Sequence, residues 1–274
     1  VLEVGGALSN CISFNNANQY IGSSPTGITG VTQWTVSFWI NRASQSSTNI
    51  VYFGDGTNNY QITFCCGSTG HLGIYYNASI NNWFSTTPVA TSGWQHFVVT
   101  KDASNILRIY INGSLNNTPV ASITNISNIS SFRIGNVSGL PNVSSVVNAP
   151  TSQRIDQVLF YNTALTLGNV QSIYASGTGT TTLPSTGNLL LEYELNEGTG
   201  TSTANTGTAS AGNGTLQSGV VWEIATGKIP TTAALQSGEV VKVIDGVYTG
   251  HRGEYFFGDP FGGTVLRGRD IKFK

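Results

Sequence analysis

The chain has 274 residues and a formal net charge of −1, and only 9% of its residues are Asp, Glu, Lys or Arg. Soluble proteins average roughly 25%, so Asn, Ser and Thr side chains must carry the solvation, and the concentrated positive charge that nucleic-acid binding requires is missing. No stretch approaches the roughly 18 apolar residues of a membrane span, and no basic region followed by an apolar core opens the sequence at Val1.

The length suits one large all-β domain with an appendage, or two modest domains. With no methionine anywhere, the chain is expected to be a piece of a longer polypeptide rather than a processed product. Cys11, Cys65 and Cys66 fit neither a zinc spacing nor a paired disulfide framework. Buried thiols are the expectation, with a bridge from Cys11 to the adjacent pair as the alternative.

In chain order, Trp34 to Ile40 comes first among the clear elements. Trp34, Val36, Phe38 and Ile40 alternate with Thr35, Ser37 and Trp39, the period of a half-buried strand. Comparable runs follow at Tyr60–Phe64, Leu72–Tyr76, Trp94–Thr100, Leu107–Ile111, Phe132–Ile134 and Ile155–Tyr161. Many short strands punctuated by Gly, Asn, Ser and Thr predict an antiparallel sandwich or barrel. Asn112-Gly113 suits the positive φ angles of a tight hairpin after Leu107–Ile111.

A helix is predicted at Leu167–Tyr174, where Leu167, Val170, Ile173 and Tyr174 fall at helical spacing behind Thr166 as N-cap. The composition from Ala175 to Gly187 is that of a flexible linker. A strand-like run over Asn188–Leu195 opens a further unit. From Glu239 to Lys274 charged and aromatic residues become denser, which predicts a role in anchoring or assembly, with a terminal hairpin as the alternative.

Five blocks together resemble a known family. They are Cys11-Ile-Ser-Phe-Asn-Asn-Ala-Asn-Gln-Tyr-Ile21, Trp34-Thr-Val-Ser-Phe-Trp-Ile40, Gly93-Trp-Gln-His-Phe-Val-Val-Thr-Lys-Asp102, Leu107-Arg-Ile-Tyr-Ile-Asn-Gly113 and Arg154-Ile-Asp-Gln-Val-Leu-Phe-Tyr-Asn-Thr-Ala-Leu165. In this order they are similar to the strands of laminin-G-like, concanavalin-A-like jelly rolls. The resemblance covers roughly residues 5 to 176 and implies an all-β antiparallel sandwich, with Trp34, Phe38, Trp94 and Phe132 in the core.

The expected organisation is therefore a sandwich over 1–176, a linker over 177–187, a partial second jelly-roll-like unit over 188–236 and an assembly segment over 237–274. The second unit rests on Leu190-Leu-Glu-Tyr-Glu-Leu-Asn-Glu-Gly-Thr-Gly200 and Gly212-Asn-Gly-Thr-Leu216, which resemble the opening of another such jelly roll. Whether it completes the first sandwich or stands as a linker module is left open. The resemblance also implies a structural calcium ion held by Asp156 and oxygens near the first strand. Asn15 to Gln19 would supply only amide and backbone oxygens there, which weakens a calcium site.

Little points to catalysis. Glu192, Glu194 and Glu197 superficially resemble the acidic triplet of concanavalin-A-like β-glucanases, and a retaining glycosidase needs two carboxylates about 5 to 5.5 Å apart. Glu192 and Glu194 share a strand face, but Glu197 has the opposite parity. His71, His96 and His251 have no acidic or Cys neighbours at metal spacing, and His96 reads as a strand residue. No phosphate loop or nucleophile elbow is present.

Sugar binding needs an exposed aromatic beside amides or carboxylates. Trp39, Tyr75, Trp83 and Phe84 lie outside the predicted core faces, and Asn81 and Asn82 adjoin Trp83. Asn81, Asn82, Trp83, Phe84 and Tyr75 form the expected contact patch, with a loop capping one sandwich edge as the alternative. The expected function is a non-catalytic adhesion or glycan-binding module, extracellular on a cell surface or virion. Its partners would be other protein subunits of that assembly and cell-surface glycans; the alternatives are a structural decoration protein and, remotely, a glycan hydrolase.

Overall fold

A computed structural model describes residues 10–16, 18–43, 47–65, 70–79, 84–91, 93–119, 125–143, 153–177 and 179–224. Cys66, Asn81, Asn82, Trp83 and the expected assembly segment over 237–274 lie outside the described residues.

The strands are β1 (Asn10–Phe14), β2 (Tyr20–Ser23), β3 (Thr29–Val31), β4 (Trp34–Arg42), β5 (Thr48–Gly54), β6 (Asn59–Cys65) and β7 (His71–Tyr76). Then come β8 (Trp94–Lys101), β9 (Leu107–Ile111), β10 (Ser114–Asn117), β11 (Ile126–Asn128), β12 (Ser131–Gly135) and β13 (Gln153–Tyr161). Helix α1 (Leu167–Tyr174) precedes β14 (Leu189–Tyr193), β15 (Ser202–Thr203), β16 (Gly214–Gln217) and β17 (Val221–Ile224).

Among the described residues, two large antiparallel sheets and a two-stranded β3-β11 ribbon result. Sheet I runs β10-β9-β8-β4-β13-β1-β17, with β14 also on β13, and sheet II runs β15-β16-β2-β12-β5-β6-β7. Inward side chains of both sheets make one core, as a sandwich requires. Its centre is aromatic: Trp34 meets Phe53 and Tyr60 edge-on at 5.1 and 4.8 Å, and Phe53 meets Phe160 at 5.1 Å. Of the sandwich or barrel that alternation allowed, the sandwich implied by the resemblance is the observed fold.

Local expectations fare well where local chemistry decides. Asn112 and Gly113 have φ of 50° and 75°, and β9 turns tightly into β10 with Ile111 opposite Ser114. A Cβ on Gly113 would also stand 2.7 Å from the Tyr174 ring, so glycine is needed there twice over. Thr166 caps α1 by accepting from Asn169 N, and Val170 and Ile173 are its buried residues.

The segment after α1 departs from a linker followed by a separate unit. Gln157 Nε2 donates to Thr180 O, and Leu183 is buried in the cluster under α1. Gly179 N also donates to Tyr174 O, and Asn169 Nδ2 to Ser185 Oγ. Beyond it, β14 pairs with β13, β16 with β2 and β17 with β1. Leu191, Tyr193 and Leu195 enter the main core. Of the two alternatives left open, these strands complete the first sandwich, because the flank of β13 and the outer edges of β1 and β2 would otherwise leave unpaired backbone groups.

The outer face of sheet I is sealed. Val98, Tyr110, Leu159 and Tyr161 pack against Leu165, Val170, Ile173, Leu183 and Leu189 in a second buried cluster. Tyr174 stacks on Trp39 and His96 at 5.8 and 6.0 Å. Trp39, expected to be available for sugar stacking, is therefore 1% exposed. Trp94 corrects another expectation. It shares the parity of His96 and Val98, points away from the core and is only half-buried.

Candidate functional site

The expected patch divides. Phe84 is half-buried, forms a bridge to Gly73 on the edge of β7, and its ring meets His71 edge-on at 6.1 Å. Its carbonyl accepts from Asn117 Nδ2 at 2.7 Å, while Thr86 N donates to Asn116 Oδ1 at 2.8 Å. His71 Nδ1 donates to Ser85 O at 2.6 Å. The segment after Phe84 therefore ties β7 of sheet II to β10 of sheet I and caps that edge of the sandwich. Tyr75 lies two residues from Gly73 on the same face of β7, which is the outer face of sheet II, and is 4% exposed.

That outer face carries a row the sequence reading did not single out. Inward positions are Phe132 and Ile134 on β12, Val51 and Phe53 on β5, and Ile62 and Phe64 on β6. By parity Arg133, Tyr52, Gln61 and Tyr75 point outward, and the ladder sets them side by side: Arg133 opposite Tyr52, Tyr52 opposite Gln61, Gln61 opposite Tyr75. On the other flank Arg133 faces Gly22, which faces Thr215. Alternation of apolar and polar residues at 51–53 and 132–134 was the available signal.

Gly22 shapes the row. A Cβ there would lie 3.0 Å from the Tyr20 ring, and Arg133 Cζ sits 4.2 Å from that ring's centroid. The bare backbone at Gly22 lets the tyrosine fold back under the guanidinium. The Tyr52 hydroxyl is buried, with no hydrogen-bond partner among the described residues. Burial pushes its pKa up, with the Arg133 charge opposing and the Asp55 charge adding to the rise.

An amide network borders the row. Gln61 Nε2 donates to Asn59 Oδ1 at 3.4 Å, and Asn59 Nδ2 donates to Pro141 O and Asn142 O. Asn58 Oδ1 accepts from Tyr76 OH and Asn77 Nδ2 at 2.9 and 3.0 Å. Asp55 accepts from Thr57 N, Asn58 N and Ser127 Oγ. Burial alone would raise the Asp55 carboxyl, but these donors outweigh it and hold the pKa below its ordinary value. Tyr52, Gln61 and Tyr75 are buried, so the part of the row that reaches solvent is Tyr20 with Arg133.

Among the described residues, the other chemistry-bearing side chains do not assemble into a reactive centre. Ser37 Oγ and His96 Nε2 share a hydrogen bond of 2.8 Å, but both residues are fully buried beneath α1. Glu192 lies on the outer face of sheet I opposite Leu159, and burial, followed by the Glu194 charge, raises its pKa against Thr206. Glu197 Oε1 accepts from Ala204 N at 2.7 Å and so braces a turn.

Asp156, the expected calcium ligand, is engaged within the fold. It is 0% exposed, and its Oδ1 accepts from Gln157 N at 2.8 Å. Gln157 has φ of 43°, at a point where the β13 register against β4 shifts by one residue. The carboxylate therefore steadies a β-bulge. The amides near β1 are engaged as well: Gln19 Oε1 accepts from Asn15 N and Asn16 N, and Asn16 Oδ1 from Asn18 N. Among the described residues no group of three or more His, Cys, Asp or Glu could hold a metal.

Comparison with known proteins places this architecture. No curated protein matches the chain. Among solved structures, a candidate carbohydrate-binding protein from Bacteroides ovatus superposes with a TM-score of 0.62 at 19% identity, covering 85% of this chain and 63% of that one. The chain thus spans less than two thirds of that protein. A heptameric SAP-like pentraxin from Limulus polyphemus superposes with a TM-score of 0.53 at 17% identity, covering 79% of this chain and 95% of that one. Both likenesses concern the fold. The family model of the concanavalin A-like lectin/glucanases superfamily matches residues 15–171, more than half of the sequence, and the chain belongs to that superfamily.

Proposed function

We propose that the chain is a non-catalytic glycan-binding module, displayed extracellularly on a cell or virion surface, and that it binds through the outer face of sheet II. The observation that carries this reading is the partly exposed pair of Tyr20 and Arg133, backed by Tyr52, Gln61 and Tyr75, which are buried, and bordered by amides. Aromatic rings stack on the C–H faces of a pyranose, and amides take its hydroxyls. A surface with so little charge suits a partner rich in hydroxyl groups.

The non-catalytic part rests on where the carboxylates lie. Glu192 sits on the other sheet's outer face and Glu197 braces backbone, so among the described residues no acid pair faces the tyrosine row. Surface display among partner subunits rests on the charge-poor composition and on the changed chemistry of Glu239–Lys274.

The test is a broad glycan array with the whole chain, followed by calorimetry on the best binder and on Tyr20→Ala. Binding that weakens in the variant at an unchanged unfolding midpoint is expected. An array with no binder removes the glycan reading and leaves a structural decoration role. Cleavage of the bound glycan on prolonged incubation would overturn the non-catalytic one.

A further inference from the structure

The geometry points to Arg133 as a subsite for the carboxylate of an acidic sugar, so that the glycans bound by this face are ones bearing uronic or sialic acid residues; this rests on the glycan-binding reading above. Among the described residues, the other basic side chains are committed. Arg108 pairs with Asp102 at 2.9 Å, and Arg154 pairs with Glu223. Lys101 Nζ donates to Thr32 O and Asn125 Oδ1 and is 1% exposed. Arg42, also 1% exposed, packs its guanidinium 3.9 Å from the Phe64 ring centroid.

Arg133 differs. It is partly exposed, pairs with no carboxylate in the described structure, and makes one hydrogen bond, from Nη1 to Ser138 O at 3.3 Å. A guanidinium has five N–H donors, so most of its fork remains for a ligand.

The fork is also held in place. Tyr20 lies against one face of the guanidinium, and the Ser138 carbonyl fixes one end through a turn in which Asn136 Oδ1 accepts from Ser138 N at 2.6 Å. A guanidinium stacked on an aromatic ring keeps its in-plane donors available while losing little rotamer freedom on binding. The planar, bidentate acceptor that matches such a fork is a carboxylate. Beside it Gly22 presents no side chain on one flank, and the buried Tyr52 ring backs the other. A point charge in a charge-poor surface, set within tyrosines, selects a sugar carrying one negative group.

The experiment compares, on the whole chain, an oligosaccharide ending in N-acetylneuraminic acid and one ending in glucuronate with their carboxyl-reduced counterparts, for wild type, Arg133→Gln and Arg133→Lys. Wild type should prefer the acidic form by about tenfold, the magnitude of a charge-assisted hydrogen bond. Arg133→Gln should bind both forms equally, and Arg133→Lys should retain only part of the preference. Equal binding of acid and reduced forms by wild type, or a preference that survives in Arg133→Gln, overturns the carboxylate subsite and leaves glycan binding intact. No binding of any sugar overturns both.

Discussion

The outer faces of the two sheets start from the same constraint and end differently. Every second side chain of a sandwich strand points away from the core. On sheet I those side chains are Val98, Tyr110, Leu159 and Tyr161, and α1 with its flanking segments closes over them. On sheet II they are Arg133, Tyr52, Gln61 and Tyr75, bordered by amides. One outer face is closed by apolar packing under α1; on the other Tyr52, Gln61 and Tyr75 are buried too, and Tyr20 and Arg133 stay partly exposed.

The largest expected effect tests the sealed side. Ile173, at 0% exposure under α1, should cost about 2–5 kcal/mol as Ile173→Ala, read from urea unfolding, with sugar affinity unchanged wherever the protein is folded. Loss of affinity without loss of stability would reverse the assignment of the two faces. On the other side, Tyr20→Ala should weaken sugar binding roughly fivefold to tenfold, with little change in the unfolding midpoint.

Two hydroxyls offer a matched pair. Tyr52 on sheet II and Tyr161 on sheet I each bury an oxygen without a partner. Removing an unsatisfied buried hydroxyl stabilises by up to about 1 kcal/mol, so both Tyr→Phe variants should melt no lower than wild type. Neither oxygen reaches solvent, so sugar affinity should be unchanged in both; a loss in either would show that the buried hydroxyl meets the ligand.

The smallest effects are in pH dependence, and the two faces should differ in sign. The Glu192 carboxyl is raised in the fold by burial and then by Glu194. Its folded pKa lies above the unfolded one, so it costs stability as pH rises through that window. Glu192→Gln should therefore raise the melting temperature at neutral pH, and the gain should vanish below about pH 4. Asp55 is held low, its donors outweighing burial. Its contribution is present above the unfolded pKa and lost as pH falls through the folded one, so Asp55→Asn should flatten the acid limb of the stability profile.

Much of the fold was legible because its determinants are local. Alternation marked β4, β8 and β13, Thr166 with Val170 and Ile173 marked α1, and Asn112-Gly113 marked the β9–β10 turn. The candidate site was only partly legible. Phe84 and Tyr75 were picked out as aromatics outside the core pattern, but Tyr52 and Arg133 look locally like any outward residues.

What the sequence by itself determined was which side chains face inward and which outward, because strand periodicity is a property of neighbouring residues. What only the tertiary structure decided was the fate of the outward ones. Trp39 is buried because Tyr174 of a distant helix lies over it, and Arg133 meets Tyr52 and Tyr20 only through pairing of β12 with β5 and β2. The same holds for β14, β16 and β17, whose short patterns would suit any open sheet edge and which found theirs on strands far earlier in the chain. Coverage and pairing are long-range contacts, and no local pattern carries them.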